Sequence, residues 1–307
     1  YELVDRGHNV AIFAQQRGNE SIRHEEVDNL DVPVFYTGKP NLANAKSLIS
    51  RNVINSTVLR KTLFRARPHH HAFYLYLTNH LLSFVNDLTW SPDLIHGHFA
   101  HHHQFAITYA SAFLDIPCTV TAHAYEIFRE PHISRLPNLL QRMNHVIVPS
   151  EYNRKYLTEL LDVNVPLSVV PATTRVDKFS PTESTVNGRL LTVGRLAEKK
   201  GIEYAINAVA ALASDYPNIE YRIIGSGEQE QYLKKLVREQ GISHIVSFLG
   251  NVDDDRLERE LDEAAVFVLP AVVASSGDRD AMPVVLKEAM AMKTACVSTT
   301  VSAIPEL

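Results

Sequence analysis

Leu190-Leu191-Thr192-Val193-Gly194-Arg195-Leu196-Ala197-Glu198-Lys199-Lys200-Gly201-Ile202 reads as a strand, a glycine turn and the opening of a helix. The run Leu190–Val193 is short, apolar and partly β-branched, as a buried parallel strand requires. Gly194 lets the chain turn sharply where that strand ends. Further on, Ile202, Ala205, Ile206, Val209 and Leu212 recur at helical spacing and make one apolar face, so a helix is expected from about Ile202 to Ser214.

The same alternation extends in both directions. Downstream, strands are expected at Tyr221–Ile224, Ile245–Leu249, Val266–Leu269 and Ala295–Ser298. Helices are expected over about Gln229–Gln240, over Arg256–Ala264 and after Pro283. Upstream, strand candidates are Asn9–Ala14, Val32–Tyr36, Leu94–Gly97, Cys118–Ala122, Val146–Pro149 and Leu167–Val170. Strands alternating with helical patterns are the signature of βαβ units. The expected class is α/β, with two doubly wound, Rossmann-like domains and a ligand at the carboxyl ends of the strands. Pro171–Val186 is polar and turn-rich and reads as a linker, which divides the chain into residues 1–180 and 181–307.

A chain of 307 residues, 45% hydrophobic, can bury one large core or two ordinary ones. No stretch approaches the ~18–20 apolar residues of a membrane span. Tyr1–Gly7 reads as the end of a helix already under way, with no secretory signal. Ile304-Pro305-Glu306-Leu307 is an abrupt stop, so material is expected to be missing at both ends. Cys118 and Cys296 lie far apart in apolar runs, which suits free thiols in a reducing cytosol.

The net charge of −5 is unevenly spread. From Val32 to Asn86 there is no acidic residue, while Lys39, Lys46, Arg51, Arg60, Lys61, Arg65 and Arg67 are basic. Leu59, Leu63, Phe64, Phe73, Leu75 and Leu77 interleave with or follow them. Such a segment, over residues 39–77, suits an anionic membrane surface or acceptor; equally it suits a solvated face whose apolar residues turn inward. Nucleic acid is not expected, since the rest of the chain is acidic. Fourteen of the 15 histidines precede residue 146, including His69-His70-His71 and His101-His102-His103. A zinc site is the alternative, but no cysteine or paired carboxylate completes a ligand set. The triplets are read as loop and helix-start residues, and no metal is expected.

Asp280-Ala281-Met282-Pro283-Val284-Val285-Leu286-Lys287-Glu288 places two carboxylates around a helix start, with Pro283 suited to the first helical position. The helix N-terminus between them offers free N–H groups to an anion. Two acceptors for hydroxyls flanking an anion site match the chemistry of a nucleotide sugar. Arg195 and Lys200, leaving a strand end together, supply a guanidinium fork and an ammonium for a diphosphate. Ile224-Gly225-Ser226-Gly227-Glu228 is a glycine turn before a helix. It lacks the third glycine and the ribose acid of a dinucleotide fingerprint, so nicotinamide binding is disfavoured. Close backbone approach to a ligand and a plain helix N-terminus both remain open there.

Taken in order, Gly194–Gly201, the Gly225–Glu228 turn, Phe248-Leu249-Gly250, Asp280–Ala291 and Ile304–Leu307 resemble the nucleotide-binding domain of retaining GT-B glycosyltransferases of family 4. Gly277-Asp278-Arg279-Asp280-Ala281-Met282-Pro283 is most similar to the branch of bacterial exopolysaccharide assembly that includes colanic-acid-type enzymes. The resemblance spans nearly the whole chain. It implies transfer of a sugar from a nucleoside diphosphate sugar to a glycan or polyprenyl-linked acceptor, without a metal, on the cytoplasmic side of the membrane. Arg195 and Lys200, with the helix start at Met282 and Pro283, would hold the diphosphate, and Gly194 and Gly225 would belong to the same donor site. Asp280 and Glu288 would stand at the family's Glu-x7-Glu positions, the first on sugar hydroxyls and the second on the ribose. Asp280 is one methylene shorter than the commoner Glu. The backbone about Leu249 would meet the base.

On the acceptor side, the matching stretches contain His98, His123 and Glu126. His123 resembles the active-site histidine that contacts the transferred sugar, and Glu126 stands where many members have Asp. The catalytic set implied is His123, Asp280, Arg195 and Lys200. A non-catalytic nucleotide- or glycan-binding protein and an NAD-dependent oxidoreductase are the rival readings. The intact charged set argues against the first and the incomplete glycine pattern against the second.

Overall fold

The carboxyl-terminal sheet of the computed structural model holds five parallel strands: β7 (Val186–Val193), β8 (Glu220–Ile224), β9 (Val246–Gly250), β10 (Ala264–Leu269) and β11 (Ala295–Ser298). Residues 2–15, 31–38, 68–129, 135–182 and 184–307 are described. The strand order is β11-β10-β7-β8-β9, so the winding reverses at the seam between β7 and β10. Parallel pairing places Val193 opposite Ile224 and Phe267 opposite Leu191. Both faces are covered. On one, the helices Ile202–Leu212 and Glu230–Glu239 pack Ile202, Ile206, Val209, Leu233 and Val237 against Tyr221 and Ile223. On the other, Leu261, Leu286 and Ala289 cover Leu191, Phe267 and Leu269. The helices carrying them are Asp254–Glu263 and Val284–Ala291.

The earlier strands are β1 (Ile12–Ala14), β2 (Val34–Tyr36), β3 (Ile95–His98), β4 (Cys118–Thr121), β5 (His145–Val148) and β6 (Leu167–Val169). Strands β1 and β2 pair in parallel, and the other four form a sheet ordered β3-β4-β5-β6. Every strand expected from the sequence is present, with ends shifted by a few residues, as fraying and terminal pairing lead one to expect.

Two compact units emerge from the contacts: Tyr1–Val120 with Leu139–His145, and Thr121–Asn138 with Val146–Leu307. In the first unit the helices Pro68–Asp87 and Phe105–Leu114 meet through Phe73, Tyr76, Leu77 and Ala106. His71 Nδ1 lies 2.7 Å from the Tyr109 hydroxyl in the same core. The described part of the basic segment therefore turns Phe73 and Leu77 inward; residues 39–67 lie outside the described residues. Among the described residues no helix is long and apolar enough to cross a membrane.

The second unit reaches across the linker expected at Pro171–Val186 because side chains join its two sides. Glu306 accepts the backbone N–H groups of Glu151 and Tyr152 at 3.0 and 2.8 Å, and Lys287 donates to the Ala172 carbonyl. Lys178 pairs with Asp254 at 2.6 Å, and Asp262 accepts the Thr182 N–H at 2.8 Å.

Glu260, on the helix Asp254–Glu263, is 4% exposed. Its carboxylate accepts two bonds from Arg222 Nη1, at 3.0 and 2.8 Å, with Arg256 at 3.5 Å. Removing Arg222 leaves this interior charge with Arg256, the more distant of its two cations. Arg222→Ala is expected to destabilise the unit by roughly 2–3 kcal/mol, whereas Arg222→Met combined with Glu260→Leu should come within about 1 kcal/mol of the parent. Urea denaturation midpoints of the three proteins measure both.

Candidate functional site

Three turns converge where β7, β8 and β9 end. Gly194 has φ 155°, and Gly225 has φ 126°. A Cβ on Gly225 would come within 2.0 Å of the Gly194 carbonyl, and one on Gly227 within 2.5 Å of the Leu196 carbonyl. Backbone is thus laid directly on backbone: Leu196 N–H donates to Ser226 O at 3.0 Å, and Gln229 N–H to Leu196 O at 2.9 Å. Gly225 N–H donates to Gly250 O at 2.8 Å, which adds the β9 turn. The glycines of Gly225–Glu228 thus serve a close approach between neighbouring turns. Leu249 packs its side chain into the core, so what it offers outward is main chain.

The charged residues are already engaged with one another. Arg195 grips Glu228 from two nitrogens, Nε at 3.2 Å and Nη2 at 3.0 and 3.1 Å. These hydrogen bonds raise the guanidinium's pKa and hold the Glu228 carboxyl below its usual range. Both side chains are more than half exposed, so the pair is exchangeable. Lys200 Nζ meets Asp280 Oδ2 at 2.6 Å, and each side chain is 12% exposed. Lys199 Nζ lies 3.2 Å from Asp278 and 3.4 Å from the other oxygen of Asp280. The turns after β7 and β10 are thereby joined across the seam where the winding reverses, the position at which doubly wound sheets bind ligands.

The loop after β10 is fastened by more than charge. Val272 N–H donates to Lys199 O at 2.9 Å, and the Glu198 carboxylate accepts the N–H and hydroxyl of Ser275 at 2.7 and 2.9 Å. Arg279 stacks 5.1 Å above the Phe128 ring and donates to the Tyr152 hydroxyl at 3.3 Å. The helix that follows opens at Val284, with Pro283 as the residue before its first turn, one position earlier than expected. Pro283 has no N–H, so the shift leaves no additional donor unpaired. Ala281 and Pro283 are buried and Met282 is half-buried. Glu288 is half-buried on this helix; burial pushes its carboxyl above the usual range, partly opposed by Lys178.

His123 follows β4 and is clamped through its own peptide groups. Its N–H donates to Glu126 Oε1 at 2.7 Å, and its carbonyl accepts from Asn153 Nδ2. Glu126 and Asn153 are both 0% exposed, and Ser150 Oγ accepts the Asn153 N–H at 3.1 Å. His98, the exposed last residue of β3, belongs to the first unit; its carbonyl accepts from Gln104 at 2.8 Å. Sequence reasoning missed Lys199, Asp278 and Asn153 altogether and read Glu228 only as part of a turn. Lys199 and Glu228 adjoin residues already singled out, but nothing local links Asn153 to a histidine thirty positions away. Among the described residues there is no group of three or more His, Cys, Asp or Glu side chains that could hold a metal ion.

The sheet is doubly wound, with cations and carboxylates gathered at its reversal point, and comparison with known proteins places the chain in a family. The profile for Glycosyltransferase Family 4 matches residues 1–177, and that for Glycosyl transferases group 1 matches residues 175–307. The chain belongs to glycosyltransferase family 4. It is 41% identical over 119 residues to the amylovoran biosynthesis glycosyltransferase AmsK of Erwinia amylovora, across 39% of this chain and 29% of that protein. The WcaL protein of Escherichia coli K12, named for colanic acid biosynthesis, is 39% identical over 118 residues, 38% of this chain and 29% of its own. These matched stretches are less than a third of the relatives' lengths. Anabaena Alr3699/HepE, solved with UDP and glucose, superposes with a TM-score of 0.62 at 16% identity, over 92% of this chain and 71% of its own. The fold is GT-B, built of two Rossmann-like domains.

Because burial raises the Glu288 pKa, the folded protein keeps a proton that the unfolded chain has lost, over the window between the usual carboxyl value and the raised one. Stability contributed by this group is therefore present at low pH and falls as pH rises through that window. Glu288→Gln is expected to melt higher than the parent at about pH 7, with the difference closing near about pH 4. Thermal unfolding of both proteins across that range measures it.

Proposed function

We propose that the chain forms the core of a glycosyltransferase acting in cell-surface polysaccharide assembly. It moves a sugar from a nucleoside diphosphate sugar to a hydroxyl of a glycan or polyprenyl-linked acceptor, with retention at the anomeric carbon. The observation that carries this reading is the seam cluster: Arg195, Lys200 and Asp280 gathered where the sheet's winding reverses, beside the helix bearing Glu288. Family membership, the AmsK and WcaL likenesses and the UDP and glucose bound by HepE support the same reading.

In this scheme the diphosphate displaces Glu228 from Arg195 and Asp280 from Lys200, each cation exchanging one anionic partner for another. A diphosphate accepts bidentate and point-charge contacts together, so the exchange is favourable where water is excluded. The N–H groups opening the Val284–Ala291 helix add to the anion site. Asp280, released from Lys200, turns to the sugar hydroxyls, and Glu288 takes the ribose. The backbone near Leu249 and Gly225 meets the base.

The anomeric carbon–oxygen bond to the phosphate breaks as the acceptor oxygen bonds the same face, and the acceptor proton passes to the departing phosphate oxygen. Cations positioned on that developing charge supply catalysis without a metal. His123 contacts the transferred sugar, with Glu126 acting on it through the peptide N–H it accepts. His98 belongs to the acceptor side, and the protein works in the cytoplasm, on the inner face of the membrane.

Binding of uridine and guanosine diphosphate sugars, with nicotinamide cofactors as controls, tests the donor class; retention of nicotinamide cofactors alone would overturn it. Arg195→Ala and Lys200→Ala should each lower turnover more than about tenfold. Glu288→Gln should weaken nucleotide affinity measured by calorimetry, and unchanged affinity would remove its ribose role. The basic stretch 39–67 is assigned to an anionic acceptor or membrane surface. Salt-sensitive co-sedimentation with anionic vesicles is the expected result, and its absence would limit the partner to a soluble glycan.

A further inference from the structure

We propose that Lys199 is a positioning residue of the donor site: it bridges Asp278 and Asp280 and offsets part of their charge, so that Lys200 can leave Asp280 for a diphosphate. This rests on the assignment of Lys200 to the donor given above. The two oxygens of Asp280 are divided between two cations, Oδ2 with Lys200 at 2.6 Å and Oδ1 with Lys199 at 3.4 Å. Lys199 is shared in turn with Asp278 Oδ1 at 3.2 Å. All four side chains are between 12% and 17% exposed, so their charges are poorly screened by water. Two carboxylates two positions apart in such a loop repel unless cations lie among them. When Lys200 turns to a ligand, Lys199 is the cation left between both.

The two lysines differ in how they are fixed. Lys199 is fastened to the loop whose charge it offsets in part: its carbonyl accepts the Val272 N–H at 2.9 Å, and its neighbour Glu198 holds Ser275 through two bonds. The stem of Lys200 runs past Gly194, where a Cβ would lie only 3.2 Å from Cε and 3.6 Å from Nζ. The missing side chain leaves that stem room to swing. Lys199 is therefore the anchored charge and Lys200 the exchangeable one. Without Lys199, Asp278 and Asp280 would both draw on Lys200 and hold it back from the ligand.

The test is calorimetric binding of uridine diphosphate and guanosine diphosphate to the full chain, with circular dichroism melting as the folding control. Lys199→Met is expected to raise the dissociation constant about tenfold, and Asp278→Asn in the same protein to bring it back within about twofold of the parent. Asp278→Asn alone should bind as the parent does or more tightly. Loss of binding on Lys200→Ala with no change on Lys199→Met would overturn the inference while leaving the donor assignment intact. A Lys199→Met defect that Asp278→Asn does not relieve would also overturn it, assigning Lys199 to the ligand or the fold. A parent protein that binds neither nucleotide would remove the donor assignment and this inference together.

Discussion

The ion pair between Lys200 and Asp280 is the contact on which the candidate site depends. It joins the turn leaving β7 to the loop leaving β10, the two chain segments on either side of the point where the sheet's winding reverses. Both groups are largely withdrawn from water, so the desolvation each suffers has to be offset by a close partner. Lys199 and Asp278 extend the pair into a set of two positive and two negative charges. Such a set is stable when the site is free. The four charges balance one another as they stand.

That balance requires the backbone beneath it to be fixed. Gly225 and Gly227 let adjacent turns approach to distances no side chain would tolerate, and amide-to-carbonyl bonds then lock the turns together. The same logic holds His123, whose N–H and carbonyl are both taken by buried side chains. Arg195 is the contrast. It is paired with Glu228 in solvent, where an ion pair contributes little to stability and exchanges readily.

Much of the fold was legible because apolar periodicity reports burial directly. The strands covered on both faces read as short apolar runs, and the apolar face of the Ile202–Leu212 helix was evident residue by residue. Pro283 marked a helix start to within one position, the error arising because a residue with no N–H serves equally well just before the first turn. Less legible was the grouping of residues 121–138 and 146–182 with the C-terminal sheet. Composition marked Pro171–Val186 as a linker, but long-range contacts such as Glu306 on the amides of Glu151 and Tyr152 leave no local trace.

The sequence by itself determined that β–α units alternate, that glycine turns follow the strands, and that Arg195, Lys200, Asp280 and Glu288 lie beside strand ends and a helix start. Those features follow from short-range periodicity and from the backbone demands of single residues. Only the tertiary structure decided who pairs with whom. Strand order brought β7 beside β10, and with it Lys199 and Lys200 beside residues about eighty positions away. Charges in a chain carry no partner in their spacing. The partner is chosen when folding removes water and leaves each charge to the nearest opposite one.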